Sequence, residues 1–315
     1  MYEKTAMMFI YVETPLHAGS GRGLGAVDLP IQRERITGYP IIQASSVKGK
    51  LRAEVRAANG WKDDTPEIEA LFGKAGDAGD NFAGAIAPGD ARILLFPVRS
   101  LAGVFAWTTC LNVLQRFARD CALAGMRPPA LDGLPSLGPG QALIGKSSAL
   151  RAGDSVVLEE FSYEPKQETK VSELGEWLAQ HALPNNYEYE YWRSELPKKL
   201  VILPDDDFRD FALYATEVQT HVRLNPDTKT VQTGALWTTE SLPTDTLLYA
   251  PLMAMKPRQP AKDDQQAKDD QRMTVDHVLK TVETALDGKH VQFGGDETTG
   301  QGWVVVKFAF AGGQS

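Results

Sequence analysis

The stretch Leu16–Glu34, LHAGSGRGLGAVDLPIQRE, places glycines at 19, 21, 23 and 25 and a lone carboxylate, Asp28, three residues after the last of them. Alternating glycines let backbone N–H groups approach a phosphate closely, and His17 and Arg22 stand among them. A carboxylate is a strange neighbour for a phosphate, since the two repel. The run matches neither nucleotide fingerprint: no Gly-Lys-Ser/Thr opens a helix, and Pro30 follows where a dinucleotide loop needs one. The spacing suits an extended loop along a polymer backbone, and an isolated glycine run is also what a flexible surface loop looks like.

Two further stretches could bear chemistry. Phe293–Trp303, FGGDETTGQGW, is a second glycine-rich loop, although tight helix-to-strand connections need glycine for their own reasons. Thr220–Glu240 alternates His221 and Arg223 with Val222 and Leu224, turns at Asn-Pro-Asp-Thr, and returns, which reads as a β-hairpin. No two histidines pair at zinc-ligand spacing, no CxxC occurs, and no G-x-S-x-G elbow is present.

The net charge of -8 argues against a nucleic-acid partner, but binding follows local fields rather than the total. Between Leu16 and Arg56 seven basic residues (Arg22, Arg33, Arg35, Lys48, Lys50, Arg52, Arg56) face three acidic ones (Asp28, Glu34, Glu54), a local balance of +4. The basic segment is also the glycine-rich one.

The elements that must position these residues follow from periodicity. Thr5–Thr14 reads as a buried strand, Ala91–Val98, Val156–Tyr163, Leu200–Leu203 and Trp303–Phe310 as further strands. Ser45 or Ser46 is placed to cap a helix with Val47, Leu51, Val55 and Ala58 on one face and Lys48, Arg52 and Arg56 beside it. Helices are expected over Ala106–Ala122, Phe208–Thr216 and Met273–Leu286, the last ended by Gly288. The two cysteines, Cys110 and Cys121, then lie ~16 Å apart on one helix, as core thiols of a reducing compartment. The class is α+β, a single domain over 1–315 with insertions at about 59–89 and 125–154. Residues 256–272, which contain AKDDQ twice, read as a solvated low-complexity insertion. No apolar run spans a bilayer and no signal-peptide pattern opens the chain, so no membrane is expected and the location is expected to be cytoplasmic.

His17–Arg52 resembles the N-terminal signature of the RAMP superfamily, the repeat-associated mysterious proteins of CRISPR systems. D-x-P-I-Q-R-E followed by S-x-K-G-x-L-R is similar to the backbone subunit of the type III-B (Cmr) effector complex. Asp90–Trp107, RFARD (Arg116–Asp120), VVLEEF (Val156–Phe161), ILPDDDFRD (Ile202–Asp210), GALWTTESLPTDTL (Gly234–Leu247) and GGDETTGQG (Gly294–Gly302) extend the likeness in order. The resemblance implies a ferredoxin-like (RRM-like) palm with an inserted fingers region and a protruding thumb hairpin at about 217–245. It further implies copies stacked along a CRISPR guide RNA beside other subunits of the complex. Complementary single-stranded target RNA would be cut at regular intervals in a reaction dependent on Mg²⁺ or Mn²⁺.

Carried onto this chain, the catalytic and metal-binding residue is Asp28. His17 is a secondary candidate, for proton transfer or for holding the loop, and Glu240 a weaker second carboxylate. Gly19, Gly21, Arg22, Arg33, Ser46, Lys48, Arg52, His221, Arg223, Gly294, Gly295, Gly300 and Gly302 are the expected RNA-binding set. The RNA's own 2′-hydroxyl can serve as nucleophile, which leaves the protein to supply geometry and charge. A non-catalytic RNA scaffold and a metal-independent guide-processing nuclease are the alternatives that the sequence leaves open.

Overall fold

The structure, a computed structural model, describes residues 2–23, 25–74, 82–258 and 273–311. Most of the AKDDQ insertion therefore lies outside the described residues. In chain order the strands are β1 (Lys4–Val12), β2 (Ile41–Ile42), β3 (Ile86–Pro88), β4 (Ala91–Arg99), β5 (Phe105–Cys110), β6 (Gln141–Ile144), β7 (Arg151–Ala152), β8 (Ser155–Leu158), β9 (Phe161–Gln167), β10 (Leu200–Leu203), β11 (Glu217–Leu224), β12 (Val231–Ser241), β13 (Leu247–Ala254), β14 (His290–Gln292) and β15 (Trp303–Ala309). The helices are α1 (Ala44–Asn59), α2 (Pro66–Phe72), α3 (Leu111–Leu123), α4 (Thr169–Ala182), α5 (Glu190–Lys199), α6 (Asp205–Tyr214) and α7 (Val275–Leu286).

Thirteen strands form one mixed sheet, and β11 and β12 form a separate two-stranded ribbon. At the heart of the large sheet, β1 is buried along seven of its nine residues and pairs antiparallel with β15 on one side and β13 on the other. β13 in turn pairs antiparallel with β4, so the local order is β15-β1-β13-β4. α1 lies between β1 and β4 in sequence and α7 between β13 and β15; the two helices pack on each other. Phe117 of α3 anchors the core from below, in edge-on contact with Phe9, Tyr249 and Trp177 at centroid distances of 6.0, 4.9 and 5.9 Å.

Several expectations change. Residues 105–110 are strand β5 rather than the start of a helix, and α3 begins only at Leu111. FAWTTC is aromatic and β-branched, a composition that suits the slot between β4 and β10. Cys110 and Cys121 therefore sit on different elements; both are buried and free, and burial pushes each thiol up to about 12. Helix α1 starts at Ala44, and its cap is not Ser45 or Ser46: the Ala44 amide donates to Asp90 Oδ1, 2.8 Å away. Val156–Tyr163 is not one strand but the turn of the β8–β9 hairpin, with Glu159 at φ 49°. Within the expected 125–154 insertion, β6 lies inside the sheet between β10 and β9. α4 and the buried strand β13 were not foreseen. β13 holds Pro251 where its neighbour changes from β4 to β3, so the missing N–H interrupts no ladder.

Candidate functional site

The segment leaving β1 folds back on itself. Ser20 N donates to the Pro30 carbonyl at 3.0 Å, Gln32 N to Ala18 O at 2.7 Å, and Gly23 N to Asp28 O at 2.9 Å closes the tip. The returning limb runs alongside β12: Leu29 N donates to Thr238 O, and Glu240 N donates to Leu29 O, both at 3.0 Å. That pairing carries Asp28 to the base of the hairpin formed by residues more than 200 positions later. Thr238 donates its amide (2.8 Å) and its hydroxyl (2.9 Å) to Asp28 Oδ2, and its hydroxyl accepts from Asp28 N at 3.0 Å. Asp28 is otherwise exposed, and among the described residues nothing donates to Oδ1. The two Thr238 bonds, with help from the Arg22 charge, hold this carboxyl below the ordinary carboxylate range.

His17 lies between the two glycine loops. Its Nδ1 is 2.6 Å from the Glu240 carbonyl, which can only accept, so Nδ1 carries the hydrogen and neutral His17 keeps its lone pair at Nε2. The His17 carbonyl accepts from Gly295 N at 2.9 Å. A Cβ at Gly19 would stand 2.6 Å from His17 Nε2, and one at Gly294 would overlap the His17 carbonyl oxygen. Gly302, at φ 76°, meets the Phe293 carbonyl in the same way. These glycines let the two loops close on His17, while Gly21 and Gly300 have open space around them. The second loop is gathered around Gln292 Nε2, whose two N–H groups lie within 3.2–3.3 Å of the carbonyls of Phe293, Gly294, Gly295 and Gln301, and it touches the hairpin through Gln301 to Gln219 at 3.2 Å.

Glu240, expected as a weaker second carboxylate, has both oxygens engaged inside the fold. Its side chain is 8% exposed, Oε2 accepts from Ile31 N at 3.0 Å, and Oε1 accepts from Thr216 Oγ1 at 2.8 Å and from the Arg33 guanidinium. Arg33, expected on RNA, is consumed by the same clamp, since it also donates to the carbonyls of Gly38 and Ala212 at 2.8 and 2.9 Å. Glu34 is likewise internal: Arg116 of the RFARD segment grips it at 2.9 and 2.6 Å. From D-x-P-I-Q-R-E, then, Asp28 faces outward while Arg33 and Glu34 build the frame.

Arg52, also expected on RNA, is engaged within the fold. It donates to the Gly73 carbonyl at 2.7 Å and to Asp63, which Arg56 also engages, while Lys50 pairs with Glu54. These partners cancel much of the positive stripe. Among the described residues no carboxylate pairs with Arg22, Arg35 or Lys48. Lys48 is half-buried, and burial, then the Arg52 charge, lowers its ammonium below the ordinary lysine range. Ser46 lies exposed two residues before it on α1.

The hairpin turns at Asn225, whose Oδ1 accepts from the amides of Asp227 and Thr228 at 2.9 and 3.3 Å. Val222, Leu224, Val231 and Leu236 are each about half exposed or more along it. His221 does not point freely outward; it stacks on Trp237 opposite, centroids 5.4 Å apart, whereas Arg223 is exposed. Thr238, which fixes Asp28, was missed from sequence; its only signal was its place inside the GALWTTESLPTDTL segment.

Comparison with known proteins bears on this geometry. The RAMP superfamily profile matches residues 9–305. The CRISPR system Cmr endoribonuclease Cmr4 of Pyrococcus furiosus is 38% identical over 304 residues, 96% of this chain and 95% of its own. A CMR subunit Cmr4 of Saccharolobus solfataricus is 24% identical over 95% of each chain. Crystalline oligomeric Cmr4 from P. furiosus superposes with a TM-score of 0.71 at 30% identity, over 97% of this chain and 98% of that one. With these matches running nearly end to end, the chain belongs to the RAMP superfamily, in the family of the Cmr4 proteins.

Proposed function

We propose that this chain is a backbone subunit of a type III-B CRISPR effector complex, that copies of it bind guide RNA along a filament, and that each copy cleaves complementary target RNA. The observation that carries the reading is Asp28, an exposed carboxylate fixed at the base of the hairpin beside two glycine loops, with one oxygen free. The likeness to a named Cmr endoribonuclease over 96% of the chain supports it. The order β15-β1-β13-β4, with α1 and α7 as the two crossovers, supports the reading of a ferredoxin-like palm, and the β11–β12 ribbon with its exposed apolar side chains suits a thumb that splays the target strand.

Among the described residues no group of three or more His, Cys, Asp or Glu side chains gathers into a metal cage. A hard cation that keeps its waters and shares phosphate oxygens needs only one or two carboxylates, so Asp28 Oδ1 fits as the protein's ligand for Mg²⁺ or Mn²⁺. Such a cation would supply neutralisation of charge on the scissile phosphate. Asp28 is ionised at neutral pH as any ordinary aspartate is, and the two bonds from Thr238 hold one of its oxygens in place. His17 Nε2 offers a proton acceptor beside the loop, and exposed Arg22 adds positive charge to the same segment.

The test is the assembled complex with matched target RNA, parent against Asp28→Ala. Loss of cutting with target binding intact supports the assignment; undiminished cutting sinks it. A target with a 2′-deoxy sugar at the scissile position should resist, and chelation by EDTA should stop cleavage of the ordinary target.

A further inference from the structure

We propose that Thr238 is the positioning residue for cleavage, fastening the Asp28 carboxylate to the hairpin strand so that Oδ2 is held and Oδ1 is presented outward. The inference rests on the reading of Asp28 as the cleaving carboxylate and goes on to name what aims it. Around Asp28 the chain has little else to fix a rotamer: Gly21, Arg22, Gly25 and Ala26 are exposed, and Gly21 sits at φ 93°. Thr238 closes a two-way ring with Asp28, its hydroxyl accepting from the Asp28 amide and donating to the Asp28 carboxylate. Its β-branched side chain restricts χ1, which keeps that hydroxyl in place. The neighbouring backbone bonds through Leu29 fix the register of the two segments but do not reach the carboxylate.

Position along β12 gives the contact a second meaning. Thr238 stands opposite Thr220, two residues from the exposed Val222–Leu236 pair on the same face of the ribbon. A nucleotide pressed against that pair and the oxygen that would act on it are thus referred to the same strand. A shift of the hairpin is passed directly to Asp28.

The experiment measures single-turnover cleavage of matched target RNA at saturating complex and fixed neutral pH for the parent, Thr238→Val, Thr238→Ser and Asp28→Asn. Thr238→Val keeps the shape and the backbone donor and removes only the hydroxyl. It should slow cleavage by about tenfold, the scale of one hydrogen bond to a charged group. Thr238→Ser should restore the rate. Guide loading and melting temperature serve as folding controls for each variant. If Asp28→Asn cuts like the parent, the reading of Asp28 falls and the role of Thr238 falls with it. If Asp28→Asn is inactive but Thr238→Val matches the parent in rate, the positioning role alone is overturned. A serine variant as slow as valine would overturn it as well, since the hydroxyl would then not be what matters.

Discussion

Glu240→Ala separates a structural clamp from a chemical group. The substitution strands the Arg33 guanidinium, whose side chain is 19% exposed, and deprives the Ile31 amide and the Thr216 hydroxyl of their acceptor. Removing one partner of a buried ion pair costs about 3–5 kcal/mol. Arg33 keeps the carbonyls of Gly38 and Ala212, which places the loss at the lower end, about 3 kcal/mol. With an unfolding entropy of about 2.1 cal/mol/K per residue, a chain of 315 residues should then melt roughly 4–5 °C lower. Equilibrium urea unfolding and calorimetry of the purified chain read this directly. Glu240→Gln keeps an acceptor for two of the three donors and should lose less. Loaded into the complex and assayed well below its melting point, that variant should still cut target RNA. A Glu240→Gln protein that melts with the parent yet no longer cleaves would refute the clamp and return Glu240 to the chemistry. A stability loss below roughly 1 kcal/mol for Glu240→Ala, the worth of an exposed pair, would refute the energetics.

Lys48→Ala should weaken guide RNA binding regardless of sequence and lower the salt slope by about 0.7, the value for one single-strand phosphate contact; Arg52→Ala, whose donors are committed to Asp63 and Gly73, should leave that slope unchanged and lower stability instead. An unchanged slope for Lys48→Ala would remove this lysine from the interface. Burial raises the Asp245 carboxyl above its ordinary range, so the ionised form costs stability at neutral pH, a cost that vanishes once falling pH protonates both folded and unfolded chains. Asp245→Asn, at φ 71° where asparagine is at ease, should therefore raise the melting temperature at pH 7 and lose its advantage toward pH 3; a lower melting temperature at pH 7 would contradict this. Replacing residues 225–230 by a short Gly-Ser turn should leave the sheet folded and guide bound while cleavage falls or loses its regular spacing, read on a sequencing gel; unchanged positions would show that the hairpin does not set them.

What could be read before the structure was whatever is local. The glycine run, the outward Asp28 and the hairpin about Asn225 each announce themselves within a dozen residues, because turns and loops are written in neighbouring side chains. The internal partners of Arg33 and Arg52 were not legible for the converse reason: a cation in a basic segment looks the same whether its partner is a phosphate or a carboxylate. The partner of Arg33 is 207 positions away. Periodicity failed at Leu247–Ala254, a run so uniformly apolar that it shows neither a helical nor a strand period, and at Phe105–Cys110, where an apolar strand passes without a break into α3. Thr238 gave no sign of its role because that role is a relation between two segments, visible only when they touch.

The antiparallel pairing of β1 with β15 also fixes where a reporter can be put. The glycine loops leave one end of this strand pair together, so Tyr2 and Ala311 lie at the other end. Nine residues of β1 at about 3.3 Å each separate the two ends by roughly 30 Å. A donor fluorophore at position 2 and an acceptor at Asp227 on the hairpin tip would thus form a molecular ruler whose fixed end stays clear of Asp28. Read in single complexes with and without target RNA, it would report whether the ribbon moves, independently of any cut.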